Sequence, residues 1–352
     1  MMRDAILSFP KQFRFVPKVE NGPVKKYKKY IVAGMGGSHL AADILKTLKP
    51  ELDIIVHSDY GLPAFLDPSR PSATLPSSGE GGSKEKRLER RISQTLLIAS
   101  SYSGNTEETL DAFEQARSKG IAVAAIAVGG KLLELAKQYQ TPYVQMPDTG
   151  IQPRSALGFN LRALLKIMKQ GELLRQSREL AKSLQPKNIE EKGRALAQKL
   201  KSRMPVIYAS QKNYSLAYNW KIKFNETGKI PTFYNIFPEL NHNEMSGFSA
   251  AGGPASGGDA PDPKSLSEKF YFLFLHDSSD HPQIQKRMDA TAKLYRERGL
   301  PVEILPIQGE NAMHKIFSSL VLADWAALYT AEGYGFEAER VPMVEEFKKL
   351  IK

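Results

Sequence analysis

The chain has 352 residues, 41% of them hydrophobic and 25% charged, which is the balance of a folded globular protein rather than a disordered one. It contains no cysteine, so disulfides, thiolate metal centres and cysteine nucleophiles are excluded. The net charge of +11 favours anionic partners, yet the clusters "KKYKK", "KEKRLERR" and "FKKLIK" lack aromatic interleaving and any helix-turn-helix pattern, so no nucleic-acid partner is expected.

In chain order, the opening "MMRDAILSFPKQF" has neither an apolar h-region nor a small-residue cleavage site, and a cytoplasmic location is expected. Residues 30–33, 54–57, 95–100, 121–128 and 143–146 are short and apolar, as strands of a parallel sheet covered on both faces would be. Helix-period stretches lie between several of them, among them 106–119 closed by Gly120, and 131–138. This alternation predicts a doubly wound α/β domain. A helical connector at 155–200 leads to a second strand set at 206–209, 232–236, 270–275 and 302–307, followed by a long apolar helix over 313–330. Two α/β units are expected, 1–153 and 154–352. Residues 67–94 and 247–267 are rich in Pro, Ser, Gly and Ala, with a charged end to the first, and their composition favours disorder. No apolar run reaches the roughly 18 residues of a membrane helix, so no membrane partner is expected.

The segment "TLLIASSYSGNTEET" (95–109) passes from a buried-looking strand into a cluster of hydroxyl and amide side chains. Short side-chain oxygens and free backbone N–H groups at a strand-to-helix turn make an anion site, and Gly104 lets the backbone approach the ligand. Helix capping accounts for part of the cluster, since Asn105 and Glu108 have capping-box spacing, but it leaves Ser101 and Ser103 unexplained. The first strand ends in a second glycine-rich turn, "IVAGMGGSH", where Gly37 and Ser38 add donors. A dinucleotide fold is disfavoured because G-x-G-x-x-G needs glycine where His39 stands, although Asp59 lies near the place of a ribose-binding acid. The six histidines show no HExxH or other paired spacing, so no metal site is expected.

Taken together, "GMGGS", "SYSGNTEET", "GGKLLELA", "QPRSALGF" and "FPELNHNE" resemble the sugar isomerase (SIS) family, and more narrowly its bifunctional phosphoglucose/phosphomannose isomerases. The resemblance runs from about residue 30 to the end, apart from the two unusual segments. It implies two tandem SIS domains, each a doubly wound, flavodoxin-like parallel sheet flanked by helices. It also implies an enzyme, a sugar-phosphate isomerase that interconverts glucose 6-phosphate and mannose 6-phosphate with fructose 6-phosphate through a cis-enediol(ate), without metal or cofactor.

The resemblance assigns roles as well. Ser101, Ser103 and Thr106, with Gly37 and Ser38 beside them, would bind the phosphate. Glu226, near the end of the helix-like "YNWKIKFNETG" with Gly228 as the expected stop, would be the base. His242 in "NHNE" would open the sugar ring and reach the site from the partner subunit, which implies a homodimer. Arg154, a fixed planar cation, would stabilise the enediolate. Lys315 would assist ring opening, with His314 beside it as the other candidate. The alternatives are an isomerase restricted to glucose 6-phosphate and a non-catalytic sugar-phosphate sensor, which would have no need of Glu226 and His242. An amino-sugar synthase would require a cysteine glutaminase domain that is absent from this sequence.

Overall fold

The computed structural model describes residues 2–66, 84–252 and 266–351. Their contacts divide into two units, one of Phe9–Lys182 and the other of Met1–Ser8 with Ser183–Lys352. The division therefore falls later than the expected 153/154, and the first helix, α1 (Met2–Ser8), belongs with the C-terminal half. The reason is local chemistry: Arg3 Nη1 lies 2.6 Å from Glu190 Oε1, donates to Tyr329 Oη at 3.0 Å, and its guanidinium covers the Trp325 ring.

In the first unit, five strands pair in parallel in the order β2-β1-β3-β4-β5: β1 (Lys29–Ala33), β2 (Asp53–His57), β3 (Thr95–Ser100), β4 (Ala122–Ala127) and β5 (Tyr143–Gln145). Every residue of β3 is buried, as a central strand covered on both faces requires. The connecting helices are α2 (Leu40–Leu48), α3 (Lys84–Gln94), α4 (Glu107–Ser118) and α5 (Gly130–Gln138), with α6 (Leu157–Ile167), α7 (Gly171–Ser177) and α8 (Leu180–Ser183) following β5. Helix α6 packs on α2 and β4. It is apolar nearly all round, with ten of its eleven residues buried, and this draws the start of the expected connector into the first unit. Gly120 closes α4 at φ +70°, as expected from the sequence.

The second unit repeats the plan with four parallel strands in the order β7-β6-β8-β9: β6 (Met204–Ser210), β7 (Phe233–Phe237), β8 (Phe270–His276) and β9 (Val302–Pro306). Its helices are α9 (Pro186–Lys199), α10 (Tyr214–Lys223), α11 (Pro282–Glu297), α12 (Ala312–Gly333) and α13 (Pro342–Leu350). On one face of the sheet an aromatic cluster of Tyr208, Phe237, Phe272, Phe274 and Tyr295 fills the core, with Phe272 and Tyr295 ring centres 4.6 Å apart. On the other, the long α12 packs along α9 and α10.

Both unusual segments are partly regular. Lys84–Gln94 is helical, whereas 67–83 lies outside the described residues. Residues 244–252 form a run of 3-10 turns anchored by Phe248, whose ring meets Phe272 edge-on at 4.9 Å. One apolar anchor thus offsets the disorder-prone composition there. The remainder of 247–267 that lies between 253 and 265 is outside the described residues.

Candidate active site

In the first unit the strand order reverses between β1 and β3, and at such a switch point the loops leaving two neighbouring strands open a crevice at the carboxyl edge of the sheet. Both glycine-rich turns lie there. A Cβ on Gly37 would stand 2.6 Å from the backbone N of Arg154 and from the carbonyl carbon of Pro153, so only glycine allows that close approach. Ser38 is buried; its Oγ accepts from the Tyr102 N–H at 3.0 Å, and its carbonyl accepts from Ser100 Oγ and Asn160 Nδ2, each at 2.8 Å. Ser101 Oγ lies 2.8 Å from Thr106 Oγ1 and accepts from the Gly104 N–H at 3.1 Å. Gly37, Ser38, Ser101, Thr106 and Arg154 are thereby gathered at one end of the sheet, while Ser103 is exposed and accepts from the Asn105 N–H.

The capping expectation is corrected. Thr106, not Asn105, is the N-cap of α4. Asn105 Oδ1 instead accepts the Lys131 N–H at 3.0 Å, tying the turn to the first residues of α5. Main chain meets main chain at this tie: a Cβ on Gly104 would lie 1.8 Å from Gly129 O, and one on Gly130 would lie 2.3 Å from Ser103 O. Arg154 sits in a single 3-10 turn, Pro153–Ser155, and is only 1% exposed. No local motif signals the supporting role of Asn160, whose amide on α6 also donates to Ser100 Oγ at 3.1 Å.

The second unit carries the other candidates on three elements. Glu226 lies half-buried in a π turn, Phe224–Gly228, that continues α10. Such a turn adds a residue to the helical repeat and is frequent at functional sites. The turn ends at Gly228, as expected, and the next residue, Lys229, takes the left-handed conformation at φ +58° and donates from Nζ to the Glu226 carbonyl. Just before the turn, Lys223 Nζ and Asp324 Oδ1 form a buried ion pair at 2.6 Å that joins α10 to α12.

His242 is exposed at the end of a 3-10 turn, Glu239–Asn241, and its neighbours are engaged. Asn241 donates to Thr291 Oγ1 at 2.8 Å, Asn243 donates to Glu239 Oε1 at 2.8 Å, and Glu244 accepts from Tyr208 Oη at 2.5 Å and from Asn235 Nδ2. Burial, aided by the charges of Tyr295 and Glu244, pushes the Tyr208 hydroxyl far up, so it stays a donor to Glu244.

At the start of α12 the two neighbouring candidates separate. His314 is engaged on both ring nitrogens, with Nε2 3.3 Å from the Ser183 carbonyl and Nδ1 3.2 Å from Ser318 Oγ. Lys315 Nζ donates to Asp277 Oδ1 at 3.0 Å and its side chain keeps 24% of its exposure. Among the described residues no group of three or more His, Cys, Asp or Glu is placed to hold a metal ion, and no helix is long and apolar enough to cross a membrane.

Two doubly wound parallel sheets in one chain, the first with hydroxyl side chains gathered at its switch point, define a tandem α/β protein with a crevice of the kind that takes small ligands. Residues 189–351 match the model of the bacterial phospho-glucose isomerase C-terminal SIS domain. The bifunctional phosphoglucose/phosphomannose isomerase of Caldicellulosiruptor bescii is 31% identical over 99% of this chain and 98% of its own length. The enzyme of the same name from Aquifex aeolicus is 30% identical over 93% of this chain and 91% of its own. A hypothetical protein from Thermus thermophilus has the same fold, with a TM-score of 0.65 at 17% identity, over 99% of this chain and 86% of its own. The chain belongs to the bifunctional phosphoglucose/phosphomannose isomerase family.

Proposed function

We propose that the protein interconverts glucose 6-phosphate and mannose 6-phosphate with fructose 6-phosphate, using neither metal nor cofactor. The observation that carries this reading is the seat at the ends of β1 and β3, where Ser38, Ser101 and Thr106 surround a turn locked by main-chain contact, in a chain of this family. Such a seat suits a phosphate ester, whose oxygens accept several hydrogen bonds at once.

With the phosphate held, the chemistry lies at C1 and C2. His242 and Lys315 exchange the proton needed to open the ring. Glu226 then takes the proton from C2 of the aldose and returns it to C1, passing through a cis-enediolate, while the hydroxyl proton of O2 passes to O1 so that the carbonyl forms at C2. Arg154, permanently charged and planar, offsets the negative charge that grows on the enediolate oxygens. C2 is planar in that intermediate, so glucose and mannose esters share it, and a pocket that accepts either face of C2 handles both. The exposure of His242 on a pinned turn supports its delivery to the site of a second copy, so the working form is a homodimer.

The test is turnover of both aldose phosphates in excess chelator, alongside Glu226→Gln. Activity on both, abolished in the variant while phosphate-ester binding persists, is the expected result. Activity on neither, loss with chelator, or a fully active variant refutes the reading.

A further inference from the structure

The two units carry the same loop at the same place with opposite chemistry. Ser101 is the first residue beyond β3, and Asp277 is the first beyond β8; each strand lies beside the first strand of its own sheet. Each loop closes with the same backbone bond, Gly104 N–H to Ser101 O at 3.1 Å and Asp280 N–H to Asp277 O at 3.0 Å. In the first unit the side chain at this position is a hydroxyl. In the second it is a buried carboxylate, and what comes to it is not an anion but two lysines.

Asp277 is engaged on both oxygens. Oδ1 accepts from the Ser279 N–H at 3.0 Å, Ser279 Oγ at 2.8 Å and Lys315 Nζ at 3.0 Å. Oδ2 accepts from Lys212 Nζ at 3.3 Å, with Asn213 Nδ2 at 3.5 Å. The charged groups around the carboxylate are Lys212 from the turn after β6, Asp280 from its own loop, and Lys315 from α12. Glu310, in the loop before α12, is exposed, and His314 is turned to Ser183.

We propose that Asp277 is the positioning residue for Lys315, a carboxylate built into the second unit's strand-end loop that fixes the ammonium group taking part in ring opening. The inference rests on the role given to Lys315 above. Burial alone would raise the Asp277 carboxyl, but the Ser279 N–H and hydroxyl, Lys315 and the charge of Lys212 hold it well below the usual carboxylate range, so the anchor stays charged across the working pH. Lys212 balances the same carboxylate from the other side; its side chain keeps 49% of its exposure, and its Nζ also donates to Ser279 Oγ at 2.7 Å.

The experiment compares Asp277→Asn, Lys315→Met and Lys212→Met in the full-length protein, reading thermal stability and the separate changes in kcat and KM for glucose 6-phosphate. Loss of the carboxylate removes the acceptor that holds the Lys315 ammonium in one place. Folded Asp277→Asn is therefore expected to lose at least about tenfold in kcat while KM changes less than about threefold. Lys212→Met is expected to change kcat less than about threefold. A purely structural Asp277 would lower stability and leave the kcat of the folded variant unchanged, and that result overturns the inference. An unchanged kcat in Lys315→Met overturns the role of Lys315 itself and this inference with it, while loss in Lys315→Met without loss in folded Asp277→Asn overturns this inference alone. If Asp277→Asn fails to fold, Asp277→Glu keeps the charge and displaces it by one methylene; a kcat loss with KM little changed supports positioning, and wild-type kcat overturns it.

Discussion

Replacing Gly104 with alanine tests how the hydroxyl-rich turn is built. Gly104 has φ +75°, and its added Cβ would stand 1.8 Å from Gly129 O and 2.8 Å from Gly129 C, both main-chain atoms that cannot swing away. Gly120 supplies the control: its φ is +70°, but a Cβ there meets nothing within 4 Å. Both variants incur the left-handed backbone cost, roughly 1–2 kcal/mol. Only Gly104→Ala adds the overlap, roughly 1–3 kcal/mol if the turn shifts to relieve it. For a unit of this size each kcal/mol lowers the melting temperature by roughly 2–4 °C, so Gly104→Ala should melt roughly 2–12 °C below Gly120→Ala. The assay is thermal unfolding of both full-length variants, repeated with inorganic phosphate, whose stabilising effect should shrink only in Gly104→Ala. Equal melting temperatures, or an undiminished phosphate effect in Gly104→Ala, would refute the claim that main-chain contact holds this turn.

Three further outcomes are expected. Asp324→Ala strands the buried Lys223 ammonium and should cost roughly 3–5 kcal/mol in denaturant unfolding, whereas Lys223→Met combined with Asp324→Leu should recover most of that loss. Glu190 is held down at about 2 by hydrogen bonds from Lys187, Tyr329 and Arg3, against an ordinary value near 4.5. Its folded-state value is the lower one, so its contribution is complete above about 4.5 and is lost as pH falls through about 2; Glu190→Gln should flatten the stability-versus-pH curve of acid unfolding in that window. Tyr208→Phe removes the hydroxyl donor to Glu244 and should lower kcat more than it raises KM, with steady-state kinetics as the check; an unchanged kcat would mean that Glu244 does not steady the His242 loop.

Much of the fold is legible in the sequence because its signals are local. The apolar strands, Gly120 as a helix stop and the hydroxyl-rich turn each depend on neighbouring residues, and the strand edges agree to about a residue. What the sequence hides depends on distant partners. Asn105 and Glu108 have capping-box spacing, yet Asn105 is claimed by the Lys131 N–H, a partner 26 positions away. The unit boundary moves because Arg3 finds Glu190 and because α6 is buried nearly all round. Gly228 ends the helix as its type suggests, but the π turn that leads to it and the left-handed Lys229 that follows it have no local signal. His314 and Lys315 are adjacent letters, and their different surroundings depend on Ser183 and Asp277, neither of which is near them in sequence.

The stretch from Asn241 to Glu244 has a consequence for anyone altering the protein. Three of its four side chains are hydrogen-bonded to Thr291, Glu239, Tyr208 and Asn235, and the exposed imidazole of His242 stands between them. The backbone that carries it is held in advance, so an engagement of the imidazole costs its own rotamer freedom and little loop ordering. Position 242 is therefore a socket: the group displayed there can be exchanged without re-engineering its support, whereas a change at 241, 243 or 244 alters the support and the displayed group together.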